Sequence, residues 1–306
     1  MKRSLLILPL MMLLIAAACG APNAPAGHAD DSGGSPKNEV PDLSPPDEPG
    51  GDEQSDETTE EADSVPGPDS DPQDTPDAQE PDLDDPPAET EKTHYMNRNY
   101  IFKPIDPEGE TKVVLLTFDD GPKDETMIDA LLATLEKHQA KAIFFLNGFR
   151  VEAKPDLARK LYENGQILGN HSWDHIVLTE QSEETIDAQI SRVQDILEEL
   201  TGEAPKFFRP PHGAGNEYIR TRVREAGMLY MTWSNGSRDW EQGYQTPESV
   251  VEQVLEQLHP GSNILMHELP WTVEALDTLL TKLKEEGYTF LDPDAIDLDY
   301  EEAASA

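Results

Sequence analysis

From about Lys92 onward, short apolar runs alternate with amphipathic helical patterns. Val113 to Phe118 (VVLLTF) is continuous and rich in β-branched side chains, which predicts a buried strand. Lys123 to His138 predicts a helix, with Met127, Leu131, Leu132 and Leu135 on one face. Ala142 to Leu146 (AIFFL) reads as a second strand, and Pro155 to Asn164 as a helix stopped by Gly165. Ile167 to Gly169 is a brief strand, Ser182 to Leu200 a long amphipathic helix and Lys206 to Phe208 another strand. Glu217 to Ala226, Leu229 to Trp233, Pro247 to Leu258, Asn263 to Met266 and Thr272 to Glu286 continue the alternation, and Tyr288 to Leu291 closes it. Regular β-then-α order predicts a parallel sheet covered by helices. Seven or eight strands in so short a stretch predict an α/β fold of the distorted or incomplete (β/α) barrel kind.

The preceding segment has no such periodicity. Between Ala21 and Glu91 stand 23 acidic residues, one lysine and 14 of the 26 prolines. Its few apolar side chains cannot offset the entropy of ordering it, so residues 20–92 are expected to be a disordered acidic linker. The whole chain of 306 residues has a formal net charge of −39, which opposes nucleic-acid binding. Met1-Lys2-Arg3, the apolar run Leu5 to Ile15 and Ala16-Ala17-Ala18 make a secretory signal over residues 1–19. Cys19, the one cysteine, follows the small residues directly and resembles the lipidated residue of a bacterial lipoprotein signal. The alternative is an ordinary signal cleaved near Ala18. A lone cysteine also excludes an intramolecular disulfide or a cysteine-built zinc site.

Polar residues gather where the predicted strands end. Asp119-Asp120-Gly121-Pro122 follows VVLLTF, and His171 and His175 follow ILGN. Arg209-Pro210-Pro211-His212-Gly213 follows KFF, Asp239-Trp240 comes shortly after LYMTW, and His267 follows NILM. Each cluster alone has a structural reading: a turn, two surface histidines, a rigid Pro-Pro loop. In a parallel barrel, however, the C-terminal strand ends share one face, so the five clusters would converge there. Two imidazoles and one carboxylate suit zinc or a neighbouring divalent metal with open positions. A bound metal acidifies water and polarises a carbonyl. A second carboxylate can take the water's proton, and a histidine opposite can protonate a leaving amine. Arg209 would hold that base ionised, Asp239 would orient His267, and backbone N–H groups after Pro-Pro could bind an oxyanion. The residue types describe metal-assisted hydrolysis of an amide or ester.

Thr117 to Pro122 (TFDDGP), His171 to His175 (HSWDH), Arg209 to Gly213 (RPPHG), Asp239-Trp240 and Leu265-Met266-His267 together resemble the ordered motifs of the polysaccharide deacetylase family. This is the NodB-homology domain, carbohydrate esterase family four, and the resemblance covers about Lys112 to Leu291. It implies Asp119 as base, with Asp120, His171 and His175 as metal ligands and His267 as acid. It pairs Arg209 with the base and Asp239 with the acid. It implies that the backbone N–H of His212 serves the oxyanion and that Trp240 and Leu265 wall an acetyl pocket. His212 stands where many members have tyrosine, Gly236 where an aspartate is frequent, and Glu268 where aspartate is common.

The expectation is a catalytic domain over 93–306 that removes N-acetyl groups from a polysaccharide, with N-acetylglucosamine of peptidoglycan or a chitin-like polymer foremost. Zinc is the expected metal, with cobalt, manganese or nickel as alternatives. The protein would be a monomer, tethered to the membrane through Cys19 and facing the cell wall, or else secreted. Two rivals are an O-acetyl esterase acting on xylan or another surface polysaccharide and an inactive wall-binding lipoprotein.

Overall fold

The computed structural model describes residues 90–300; the signal, Cys19 and nearly all of the acidic linker lie outside them. Two short strands come first, β1 (His94–Met96) and β2 (Phe102–Pro104). Strand β3 (Val113–Gly121) leads into helix α1 (Glu125–His138), and β4 (Ala142–Leu146) into α2 (Gly148–Ala153) and α3 (Pro155–Glu163). Strand β5 (Ile167–Asn170) precedes α4 (Glu183–Thr201), and β6 (Phe207–Phe208) precedes α5 (Glu217–Glu225). Then come β7 (Leu229–Tyr230), β8 (Asn235–Gly236) and α6 (Pro247–Glu256). Strand β9 (Ser262–His267), α7 (Pro270–Glu285), β10 (Thr289–Phe290) and β11 (Ile296–Asp297) complete the order.

The main sheet runs β7-β6-β5-β4-β3-β9-β8, with β10 attached to β3. Every pairing in it is parallel. Among the described residues β7 and β8 do not pair with each other, so the curled sheet is an open barrel. A smaller sheet, β11-β1-β2, joins the first two strands to the last.

The apolar run of β3 is continuous because both its faces are covered. Val113 and Leu115 join an inner cluster with Phe102, Ile143, Phe145 and Phe207. Val114, Leu116 and Phe118 join the outer cluster with Leu131 and Leu135 of α1 and Leu276 and Leu279 of α7. The two-residue period then carries Thr117 and Asp119 onto the inner side, where the last apolar residue has already been passed. Local chemistry sets the helix ends. Asp124 caps α1 by accepting from Met127 N at 3.1 Å, so the helix starts at Glu125 rather than at Lys123. Ser182 caps α4, Asn216 caps α5, and Thr246 with Ser249 forms a capping box on α6.

The structure differs from the pattern-based elements in three places. The run Leu229 to Trp233 was expected as one strand, but the ladder stops near Met231 and resumes at β8. The Thr232 carbonyl accepts from Arg209 and from Asn263 instead of a sheet neighbour. Helix α2 and the small β1-β2-β11 sheet were not expected at all. Their two to six residues are too short to carry a period.

Candidate active site

Strand β3 delivers two adjacent carboxylates to one place, although neighbours on a strand should face opposite ways. Its register with β4 shifts between Asp119 and Gly121, and Asp120 adopts a left-handed backbone with φ 67°. That bulge turns the Asp120 side chain to the same side as Asp119. Ser172, His175, His212 and Arg238 also have positive φ, and all lie in loops following the C-terminal ends of the strands. Backbone strain of this kind persists where the surroundings impose it, commonly at functional sites.

Asp120, His171 and His175 offer three ligand atoms that all lie within 4.8 Å of one another. Asp120 Oδ1 is 3.4 Å from His171 Nε2 and 3.1 Å from His175 Nε2. That oxygen is buried yet has no well-formed hydrogen bond among the described residues, as suits an atom built to meet a cation. His171 Nδ1 donates to the Arg209 carbonyl at 2.7 Å, which leaves the Nε2 lone pair directed at Asp120. Burial pushes the His175 imidazole down to about 4, against the pull of Asp120, so it is neutral and ligand-competent near pH 7. Asp120 is itself held well below the usual carboxylate range: burial opposes this, but the closeness of the His171 and His175 imidazoles outweighs it. A divalent cation fits this donor set.

Asp119 stands beside the trio, its Oδ2 3.6 Å from His171 Nε2. Arg209, with no exposed surface, donates through one terminal nitrogen to Asp119 Oδ1 at 2.7 Å and to Thr117 Oγ1 at 2.8 Å. Its other terminal nitrogen meets the Thr232 carbonyl at 2.9 Å and Asn263 Oδ1 at 3.2 Å, and its guanidinium lies 4.3 Å from the Phe145 ring centre. The Asp119 carboxylate is thus buried only in company with a fixed positive charge.

Across the paired β3 and β9, Asp119 stands opposite His267. His267 Nδ1 is 2.7 Å from Asp239 Oδ1, and Asp239 Oδ2 accepts from His267 N at 2.8 Å and Thr272 Oγ1 at 2.7 Å. Trp271 Nε1 donates to the Asp239 carbonyl at 2.9 Å. Burial would lower the imidazole's affinity for a proton, but Asp239, aided by Asp119 and Asp120, raises it above the ordinary histidine value. Trp240 is 42% exposed and meets His267 edge-on, ring centres 5.2 Å apart. Leu265 lies on the same inner side of β9 as His267, opposite Gly236, and a side chain on Gly236 would point toward Trp233 and Trp240. His212 sits edge-on to His175 at 4.7 Å. All ten residues singled out in the folded part therefore lie at one end of the sheet, on the two sides of this cleft.

Several supporting residues escaped the sequence reading. Thr117 and Asn263 anchor Arg209, Thr272 and Trp271 hold Asp239, and Asn147 Nδ2 donates to the His171 carbonyl at 3.0 Å. Thr117 and Asn263 had a signal: each is a polar residue at an inner-face position within an otherwise apolar strand. A cavity of about 650 Å³ lies at the opposite end of the sheet among Lys141, Tyr162, Gln166 and Lys206, away from these groups.

Residues 106–231 match the polysaccharide deacetylase family. The chain is 38% identical over 207 residues to the peptidoglycan-N-acetylglucosamine deacetylase PgdA of Listeria monocytogenes, covering 66% of this chain and 43% of that protein. The chain thus spans less than half the length of that relative. A peptidoglycan-N-acetylglucosamine deacetylase of Bacillus cereus is 34% identical over 186 residues, which are 59% of this chain and 85% of that protein. Among solved structures, a CE4 family pseudoenzyme from Bacillus anthracis matches with TM-score 0.56 and 31% identity, over 59% of this chain and 63% of that one. With these matches added to the open parallel barrel and its clustered strand ends, the chain belongs to the polysaccharide deacetylase family, carbohydrate esterase family four.

Proposed function

We propose that this chain is an extracytoplasmic hydrolase that removes N-acetyl groups from a polysaccharide, acting on N-acetylglucosamine of peptidoglycan or a chitin-like polymer. The catalytic domain spans 93–306, works as a monomer and is tethered by residues 20–92 to a lipidated Cys19. The names of the Listeria and Bacillus cereus relatives support the wall polymer. Family membership does not decide activity, since a pseudoenzyme shares the fold. The observation that carries the reading is the pairing of opposites across one cleft: a carboxylate fixed by buried Arg209 on one side, a histidine whose proton affinity Asp239 raises on the other.

Asp120, His171 and His175 would hold the metal, zinc foremost, whose chemistry there is to acidify water and polarise the acyl oxygen. Asp119 takes the proton of the attacking water; Arg209 keeps its carboxylate oriented for that transfer. The His212 backbone N–H steadies the charge that develops on the acyl oxygen. His267 gives the proton on Nε2 to the departing nitrogen, while Nδ1–H stays bonded to Asp239. An amine leaves only when protonated, so a protonated histidine suits an amide more than it suits an ester. Trp240 and Leu265 would wall the pocket for the acetyl methyl.

A strong chelator is expected to abolish acetate release, and added zinc, cobalt, manganese or nickel to restore it. Full activity in a sample shown by elemental analysis to be metal-free would overturn this reading.

A further inference from the structure

Seven histidines lie among the described residues, and six of them have a polar partner for a ring nitrogen. His94 bonds to Thr93 and to the Glu110 carbonyl, His138 to Asp277 and His259 to the Ser234 carbonyl. In the cleft, His171 bonds to the Arg209 carbonyl, His175 faces Asp120 and His267 bonds to Asp239. His212 is the exception. Neither of its ring nitrogens has a hydrogen-bond or ion-pair partner among the described residues, and its side chain is exposed. The proposed chemistry uses only its backbone N–H and leaves the imidazole without work.

The backbone that carries this ring is firmly held. His212 adopts a left-handed conformation, φ 59° and ψ 12°, inside the turn Pro211–Gly213. Pro210 and Pro211 precede it, Gly213 N donates to the Pro210 carbonyl at 3.0 Å, and Ala214 N donates to the Pro211 carbonyl at 3.2 Å. A Cβ on Gly213 would lie 3.0 Å from the Trp233 ring, so the turn is also seated from below. A strained residue imposed in this way delivers its side chain to a chosen place. That place is beside the metal-binding trio: the His212 ring centre is 4.7 Å from that of His175, whereas His171 and His175, which share Asp120, stand 5.1 Å apart. His212 is not among the side chains whose ligand atoms lie within 4.8 Å of one another, so joining them takes a rotation of its side chain. For an exposed ring with no polar contact to break, rotation between staggered wells costs little.

A neutral imidazole is a preferred ligand for zinc and its neighbours, and three protein ligands leave such an ion open where a fourth closes it. We propose that the His212 side chain is an exchangeable fourth protein ligand, which rotates onto the cation held by Asp120, His171 and His175 while the cleft is empty and is displaced when a glycan enters. The inference rests on the metal site of the deacetylase reading and adds a closed resting state to it. On closing, the neutral ring lends a nitrogen lone pair and a water leaves; on opening the exchange reverses, with no net change of protons. The tyrosine found here in many family members is no equivalent donor, because a phenol keeps its proton to about pH 10. The closed state belongs to the histidine of this chain.

The test counts imidazoles on the metal. X-ray absorption of the zinc-loaded wild-type chain without glycan should report three histidine ligands, and of zinc-loaded His212→Phe two. Phenylalanine preserves an edge contact with His175 and has no donor atom, so it separates ligation from ring packing. In competition with a chelator, His212→Phe and His212→Tyr should each hold zinc about tenfold more weakly than wild type, as losing a group from around a bound metal costs at least that much. In zinc-loaded Asp119→Asn, saturation with an N-acetylglucosamine oligomer should lower the count from three to two. Two histidine ligands in the wild type, or equal zinc affinity in wild type and His212→Phe, overturns the fourth ligand. A count that stays at three with the oligomer bound overturns the exchange. Three histidine ligands in a wild-type chain that releases acetate from no N-acetylated polymer counts against the deacetylase reading and leaves the fourth ligand standing.

Discussion

Asp119 and Asp120 are neighbours of the same residue type, yet their surroundings give them different work. Asp119 faces a guanidinium and Asp120 faces two imidazoles. Asp119→Asn keeps the shape and removes proton acceptance, so kcat should fall by about 10² or more while metal content, read by elemental analysis, holds. Asp239→Asn acts at one remove. It takes away the charge that raises the proton affinity of His267, so that histidine deprotonates at lower pH. Since an acid works only while protonated, the alkaline limb of the kcat profile should move to lower pH, as a pH–rate series would show. His175, held neutral near pH 7, needs no proton loss to meet a cation there, and metal content read by elemental analysis should fall once acid protonates the ligand imidazoles.

Elements matter here chiefly as levers that aim loops. Gly148 opens α2, and a Cβ there would lie 2.2 Å from the Trp173 ring, which Arg192 also covers at 3.5 Å. Gly148→Ala should therefore displace the His171–His175 loop, costing about 1–3 kcal/mol in a denaturation measurement and weakening metal affinity with it. The periodicity of the sequence displayed β3, β4, β9 and the long helices because each repeats its signal over five or more residues. It showed less well the strands of two residues and the break after Met231, where Arg209 recruits a backbone carbonyl from some twenty residues away. The chemistry was more legible than the geometry. Reactive side chains at strand ends are visible as residue types, whereas the bulge that turns Asp120 toward its partners depends on pairing with β4 and leaves no mark in the sequence.

At the scale of the molecule, the sequence ahead of the barrel, between Ala21 and Glu91, holds 23 of the 62 acidic residues. Nearly all of that stretch and Cys19 lie outside the described residues, and the tether and anchor proposed for them rest on the sequence alone. Among the described residues no helix is long and apolar enough to cross a membrane. If the lipid on Cys19 anchors the chain, Cys19→Ser should move it from the membrane fraction to the soluble one or block its processing, with turnover unchanged. Fractionation of the wild-type chain as wholly soluble would leave only an ordinary export signal.

The central claim is that the bond broken is an amide. Asp119, Arg209 and the metal ligands would serve an ester equally well; His267 with Asp239 is what an amine leaving group requires. The most direct measurement is to incubate the metal-loaded chain with chitooligosaccharides and, separately, with acetylated xylan, scoring acetate and free amine in each. The account predicts acetate from the chitooligosaccharides with an equal number of new amines. Acetate from xylan, with no new amine on any N-acetylated polymer, would contradict it.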